Sequence, residues 1–150
     1  MVRDFKSFND FNLFLKRKPM YSVTEENTLI GEALTETAKF LQKKAKEKFG
    51  VYQSGWDELA KATKEDRLRK GYTENDPLLR SGHLRDTVEM NVSERSASIG
   101  SDDPVMIYQE KGTARGIPPR PVFLITFYED GEEAVKLFTK TYLSLIRGHL

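Results

Sequence analysis

Apolar and polar positions recur along this chain with two different periods, and the change of period divides it. Ile30, Leu34, Ala38, Leu41, Ala45 and Phe49 follow one another at spacings of 4, 4, 3, 4 and 4. Leu29 and Ala33 widen that stripe. The pattern predicts one long amphipathic helix over 25–49, packed by a single face. Thr24 is placed to cap it, and Glu25 and Glu26 sit where the helix dipole favours acid. Gly50 stands where a left-handed C-terminal cap belongs. The run is too short for a coiled coil.

Residues 57–70 are helix-compatible but weakly periodic. Gly71 and Asn75-Asp76-Pro77 then break the chain. An exposed excursion is expected over about 51–80. The period next changes from 3.6 to 2. Val88, Met90 and Val92 alternate with Glu89 and Asn91, and Ala97 and Ile99 alternate with Ser96 and Ser98. Two half-buried strands are predicted, joined by a turn at Ser93-Glu94-Arg95. Val105 to Lys111 reads as a short helical turn. The stretch 112–121, Gly-Thr-Ala-Arg-Gly-Ile-Pro-Pro-Arg-Pro, is a loop ordered by its contacts. Val122 to Phe127 is apolar and β-prone, so it is expected to form a third strand. Val135, Phe138, Tyr142 and Leu145/Ile146 return to helical spacing, after acids at Glu129–Glu133 that suit a helix start.

The order predicts an α+β domain over 21–150. A small antiparallel sheet of about three strands packs against the long N-terminal helix and a C-terminal helix. Residues 1–20 stand apart as an aromatic arm or short helix. Phe8, Phe11 and Leu15 share a face there, flanked by Phe5 and Phe14, and Pro19 ends the segment.

Charge becomes informative only when divided. The whole chain carries 24 basic and 23 acidic residues, net +1. Residues 39–85 hold twelve basic and seven acidic side chains, net +5. Residues 86–110 hold one basic and six acidic, net −5. Near-neutrality overall argues against a protein that coats nucleic acid. Adjacent blocks of opposite sign suit copies that touch through complementary faces. The lysines at 39, 43, 44, 46 and 48 are first of all the solvated face of a helix.

The inventory for chemistry is thin. There is no cysteine, so thiol catalysis and thiolate-held zinc are excluded. Only His83 and His149 carry imidazole. Ser81, His83 and Asp86 lie close in sequence, but triads are assembled in space, so His83 reads as a turn residue. Asp102-Asp103 lacks the spacing of a calcium loop. No Gly-rich phosphate motif is present. The expectation is no enzyme, no cofactor and no metal. The apolar run Val122–Tyr128 is too short to span a bilayer, no secretory h-region opens the chain, and synthesis in the cytoplasm is expected. Membrane-surface binding by the arm is disfavoured, because its polar face is mixed in sign.

What remains is contact chemistry. Prolines lower the ordering cost of the 111–121 loop. Lys111, Arg115, Ile117 and Arg120 are its candidate interface residues, together with Phe5, Phe8, Phe11 and Phe14 of the arm. Arg115 or Arg120 is expected to meet acids of the 86–110 block on a neighbour. Two alternatives are a nucleic-acid-binding module using the lysines of 39–70 and a regulatory interaction module.

An ordered set of motifs bears on the choice. Trp56-x-x-Leu59-x-x-x-Thr63 is followed by Leu79-x-x-Gly82-x-Leu84 and Ile99-Gly100. Tyr108-x-Glu110-x-Gly112-Thr113 comes next, then Ile117-Pro118-Pro119-Arg120-Pro121-Val122-Phe123. Over about 56–125 the chain resembles the virion-morphogenesis and tail-completion proteins of tailed, Mu-like bacteriophages and prophages. The resemblance implies a non-enzymatic structural protein at the head–tail junction or the top of the tail. Such proteins commonly form rings, often six-fold, around the DNA channel. It implies as partners other copies of the chain and neighbouring connector and tail proteins, with DNA only passing through. It implies a place in the virion after synthesis in the bacterial host. Val122-Phe123 departs from the Phe-Leu expected after the last proline. The aromatic arm lies outside the resemblance, so its partner is not inherited.

Overall fold

In a computed structural model, which describes residues 22–148, the longest apolar stripe forms helix α1, Val23–Glu47. The arm residues Phe5, Phe8, Phe11 and Phe14 lie outside the described residues. The cap of helix α1 is Ser22, two residues before the expected Thr24. Ser22 accepts the Glu25 N–H at 3.2 Å, and the Glu25 carboxylate accepts the Ser22 N–H at 2.8 Å. This reciprocal pair satisfies two donors that a helix start leaves open. Thr24 is instead inside the first turn, where its carbonyl accepts the Thr28 hydroxyl. Leu29, Ala33, Ala38, Leu41 and Ala45 are buried, so the stripe is centred one residue earlier than Ile30 and Leu34 indicate. Beyond α1, Gly50 adopts φ +85° and donates its N–H to the Pro77 carbonyl at 2.8 Å.

Helix α2, Lys61–Arg69, and the one-turn α3, His83–Asp86, follow. Strands β1, Glu89–Val92, and β2, Ala97–Gly100, form an antiparallel hairpin with Met90 opposite Ile99. Helix α4 is Pro104–Lys111 and helix α5 is Phe123–Gly148. Among the described residues the sheet has two strands, not about three. Val122–Phe127, expected as the third, enters α5 instead. A short apolar run is compatible with either element. Its continuation decides: Thr126, Asp130 and Ala134 are buried at helical spacing. No helix among the described residues is long and apolar enough to cross a membrane.

A two-stranded hairpin is marginal by itself, and here α1 supports it. Gln42 donates to the Val88 carbonyl at 2.9 Å, and at the hairpin tip Asn27 donates to Glu94 at 3.1 Å. The start of α5 lies beside the end of α1, where Lys44 reaches Asp130 at 3.2 Å and Lys48 reaches both Glu129 and Asp130. The Asp130 carboxylate holds the Lys44 ammonium above its ordinary pKa. The core joins Ala45 in α1 and Phe49, which lies beyond the helix end at Glu47 rather than inside it as expected, to Trp56, Val88, Met106 and Val122.

The 51–80 excursion is exposed along most of α2 but anchored at both ends. Trp56, Leu59, Arg67 and Pro77 are buried. The Tyr52 hydroxyl donates to Asn75 at 2.7 Å and accepts the Leu59 N–H at 3.0 Å. On the outer face Asp66 bonds Lys70 and Arg69, in that order the causes that hold its carboxyl below the ordinary value of 3.8. Arg85 does the same for Asp86. Both carboxylates bind fewer protons folded than unfolded. Their stabilisation is present above pH 3.8 and is lost as the pH falls through their lower folded values. The pairs are exposed, so the effect is modest and screened by salt. Urea midpoints measured below and above that pH should fall on the acid side, and Asp66→Asn should flatten the fall.

Candidate functional site

The loop 112–121 is built as a braced surface between α4 and α5. Asp103 starts α4 by accepting the Val105 N–H at 2.8 Å, and Pro104 suits the first helical position. Gly112 ends α4 at φ +69°, ψ −177°. The chain then closes on itself. Thr113 donates its N–H to the Ile117 carbonyl at 2.9 Å, and the Thr113 hydroxyl accepts the Ile117 N–H at 3.2 Å. Arg120 N–H bonds the Gln109 carbonyl at 2.5 Å.

Glu110 joins the loop to α5. One of its oxygens accepts the Val122 and Phe123 N–H groups at 2.5 and 2.8 Å. A carboxylate at a helix start satisfies open donors and meets the positive end of the dipole. Glu110→Ala should cost about 1–2 kcal/mol of unfolding free energy, and Glu110→Gln less. Urea denaturation of both variants checks this.

The candidate interface residues of the loop separate into two groups. Lys111, Arg115 and Ile117 are exposed, and neither cation has an ion-pair partner among the described residues. Arg120 is not an exposed contact residue of the loop, contrary to expectation. It is 5% exposed, and its guanidinium donates to the main-chain carbonyls of Asp57, at 2.9 Å, and Glu58, at 3.3 Å. It fastens the loop to the segment before α2.

Arg67 is not legible as a buried residue, because it stands in a charged run. It is 6% exposed and donates to the carbonyls of Asp76, at 2.6 Å, and Leu79, at 3.3 Å. Burial lowers its pKa. Asp76 opposes this, and Arg80 and Arg120 add to it. Arg67 and Arg120 both line a cleft of about 920 Å³ between the excursion and the α4–loop edge, with Leu59, Arg80, Gln109 and Ile117 also on its walls.

A second, smaller cleft of about 540 Å³ gathers the acids of the −5 block. Asp86, Glu89, Asp102 and Asp103 line it with His83. The Ser81 hydroxyl accepts the His83 main-chain N–H at 3.4 Å, whereas the imidazole lies 3.4 Å from Asp103. Ser81, His83 and Asp86 are therefore not arranged as a relay. Among the described residues no group of three or more ligating side chains could hold a metal ion.

No family model matches the chain, and no curated protein or solved structure matches it either. The functional reading rests on the residues themselves.

Proposed function

We propose that the chain is a structural protein of a tailed phage or prophage particle, forming part of the head–tail connection or tail-completion ring. The observation that carries the reading is the unpaired, exposed pair Lys111 and Arg115 on a braced loop, set against the separate acidic cleft of Asp86, Glu89 and Asp102. A ring needs two different patches that fit each other. In the proposed contact, Arg115 and Lys111 of one copy meet the acidic cleft of the next.

Residues of the phage-like motif set also shape this loop. Trp56 is in the core, Glu110 caps α5, Gly112 turns the chain and Arg120 braces it. The nucleic-acid alternative is weakened on α1. Lys39, Lys43, Lys44 and Lys48 each have an acidic partner within the chain.

A charge-swap experiment tests the contact. Arg115→Glu and Asp102→Lys should each weaken self-association, and the double variant should recover it. Two single variants that associate like the unmodified chain would remove the proposed contact.

A further inference from the structure

The larger cleft has a property that the assembly contact does not use. Arg67 and Arg120 are buried cations whose polar partners among the described residues are all main-chain carbonyls. Buried charges are ordinarily paired. Arg67 donates through Nη1 alone, so its Nε and Nη2 take no protein partner. Arg120 leaves Nη1 without one. None of these three nitrogens is sealed from solvent, whereas the Gln109 Oε1 on the same wall is sealed and unpartnered. Arg80, also on the cleft wall, lies over the Tyr72 ring at 4.8 Å. The two buried guanidiniums thus keep unused N–H groups on residues that line the cleft.

We propose that this cleft binds an acidic side chain of a partner peptide, with its carboxylate on Arg67 and Arg120 and its apolar neighbours on Leu59, Leu78, Leu84 and Val105. A guanidinium presents donors in a planar fork that matches a carboxylate. The apolar walls suit side chains flanking that carboxylate. Asp57, Glu58 and Asp103 also stand on the walls. They tolerate one localised negative charge set between the arginines and repel an extended polyanion, which disfavours nucleic acid. The site uses neither Lys111 nor Arg115, so its failure would leave the assembly reading untouched.

The chain carries one tryptophan, Trp56, adjacent to the Asp57 carbonyl that Arg120 holds. Its fluorescence, with the NMR signals of the arginine Nε–H groups, reports binding to the full chain. The probes are short capped peptides that alternate leucine with glutamate or with glutamine. The glutamate peptide should bind saturably and about tenfold or more tighter than the glutamine peptide, the effect of a charge-assisted hydrogen bond. Arg67→Lys keeps the charge and loses the fork, so it should weaken binding about tenfold. Where that variant fails to fold, Val105→Glu adds a like charge at an exposed wall position and should weaken the glutamate peptide by a similar factor. Equal binding of the two peptides, or no binding, would overturn the proposal. So would displacement of the glutamate peptide by inorganic phosphate or a single-stranded oligonucleotide at equal concentration.

Discussion

Arg120→Glu is expected to cost about 4 kcal/mol or more of folding stability, while Arg115→Glu, five residues away on the same loop, leaves the fold intact. Arg120 spans two segments that are 62 and 63 residues apart in sequence, through the carbonyls of Glu58 and Asp57. Glutamate at this position has no donor for those carbonyls. It would bury an unpaired negative charge against oxygens that already carry partial negative charge. Removing one partner of a buried charged contact typically costs roughly 3–5 kcal/mol. Native domains have only about 5–15 kcal/mol in total, so the variant should be largely unfolded or visibly loosened. Arg120→Lys keeps the charge and loses the fork, and should fall between the two. Urea unfolding followed by Trp56 fluorescence separates these outcomes. Equal stability of Arg120→Glu and Arg115→Glu would mean that the brace contributes nothing.

The second large effect is expected at Gly112. Its φ of +69° and ψ of −177° lie in a region that is essentially closed to residues with a Cβ. A Cβ there would also stand 2.8 Å from the Ile117 carbonyl oxygen and 3.1 Å from the Pro119 nitrogen. These are main-chain atoms inside a closed turn, so they cannot swing aside. Strain and overpacking together make Gly112→Ala cost about 3 kcal/mol. Gly116 provides the comparison. It also has a positive φ, +96°, but a Cβ there meets nothing within 4 Å. Gly116→Ala should cost about 1–2 kcal/mol, the backbone penalty alone. If both variants lose the same amount, the turn is not closed through Thr113 and Ile117 as described.

These two positions also show what the sequence makes legible and what it does not. Helix α1 could be read because its packing signal is local: an apolar residue every three or four positions states a buried face. The hairpin was equally open to reading, since Met90, Val92 and Ile99 alternate with polar residues. The start of α5 was not. Val122–Tyr128 is short and apolar, and the group that starts the helix is Glu110, twelve and thirteen residues earlier. A cap supplied from so far away leaves no local pattern. Arg120 failed as an exposed contact residue for the same reason. Arginine among prolines reads as a surface residue, and only the distant carbonyls of Asp57 and Glu58 make it internal. Arg67 is hidden likewise, as one charge in a helix of charges until the chain from Asp76 to Leu79 folds over it. Lys111, Arg115 and Ile117 are exposed, and that exposure depends on no distant partner.

The assembly reading now depends on a narrower surface than the charge blocks indicated. Of the −5 segment, Glu110 is committed to capping α5 and Asp103 to starting α4. Glu94 accepts from Asn27 and Asp86 is already paired with Arg85, so Glu89 and Asp102 remain to meet a neighbour. The mass of the purified chain in solution, measured by sedimentation across protein concentration at low and at high salt, tests the central claim most directly. The account predicts a defined oligomer at low salt that dissociates as salt screens the contact. A particle with the mass of one chain at every concentration and salt would contradict it.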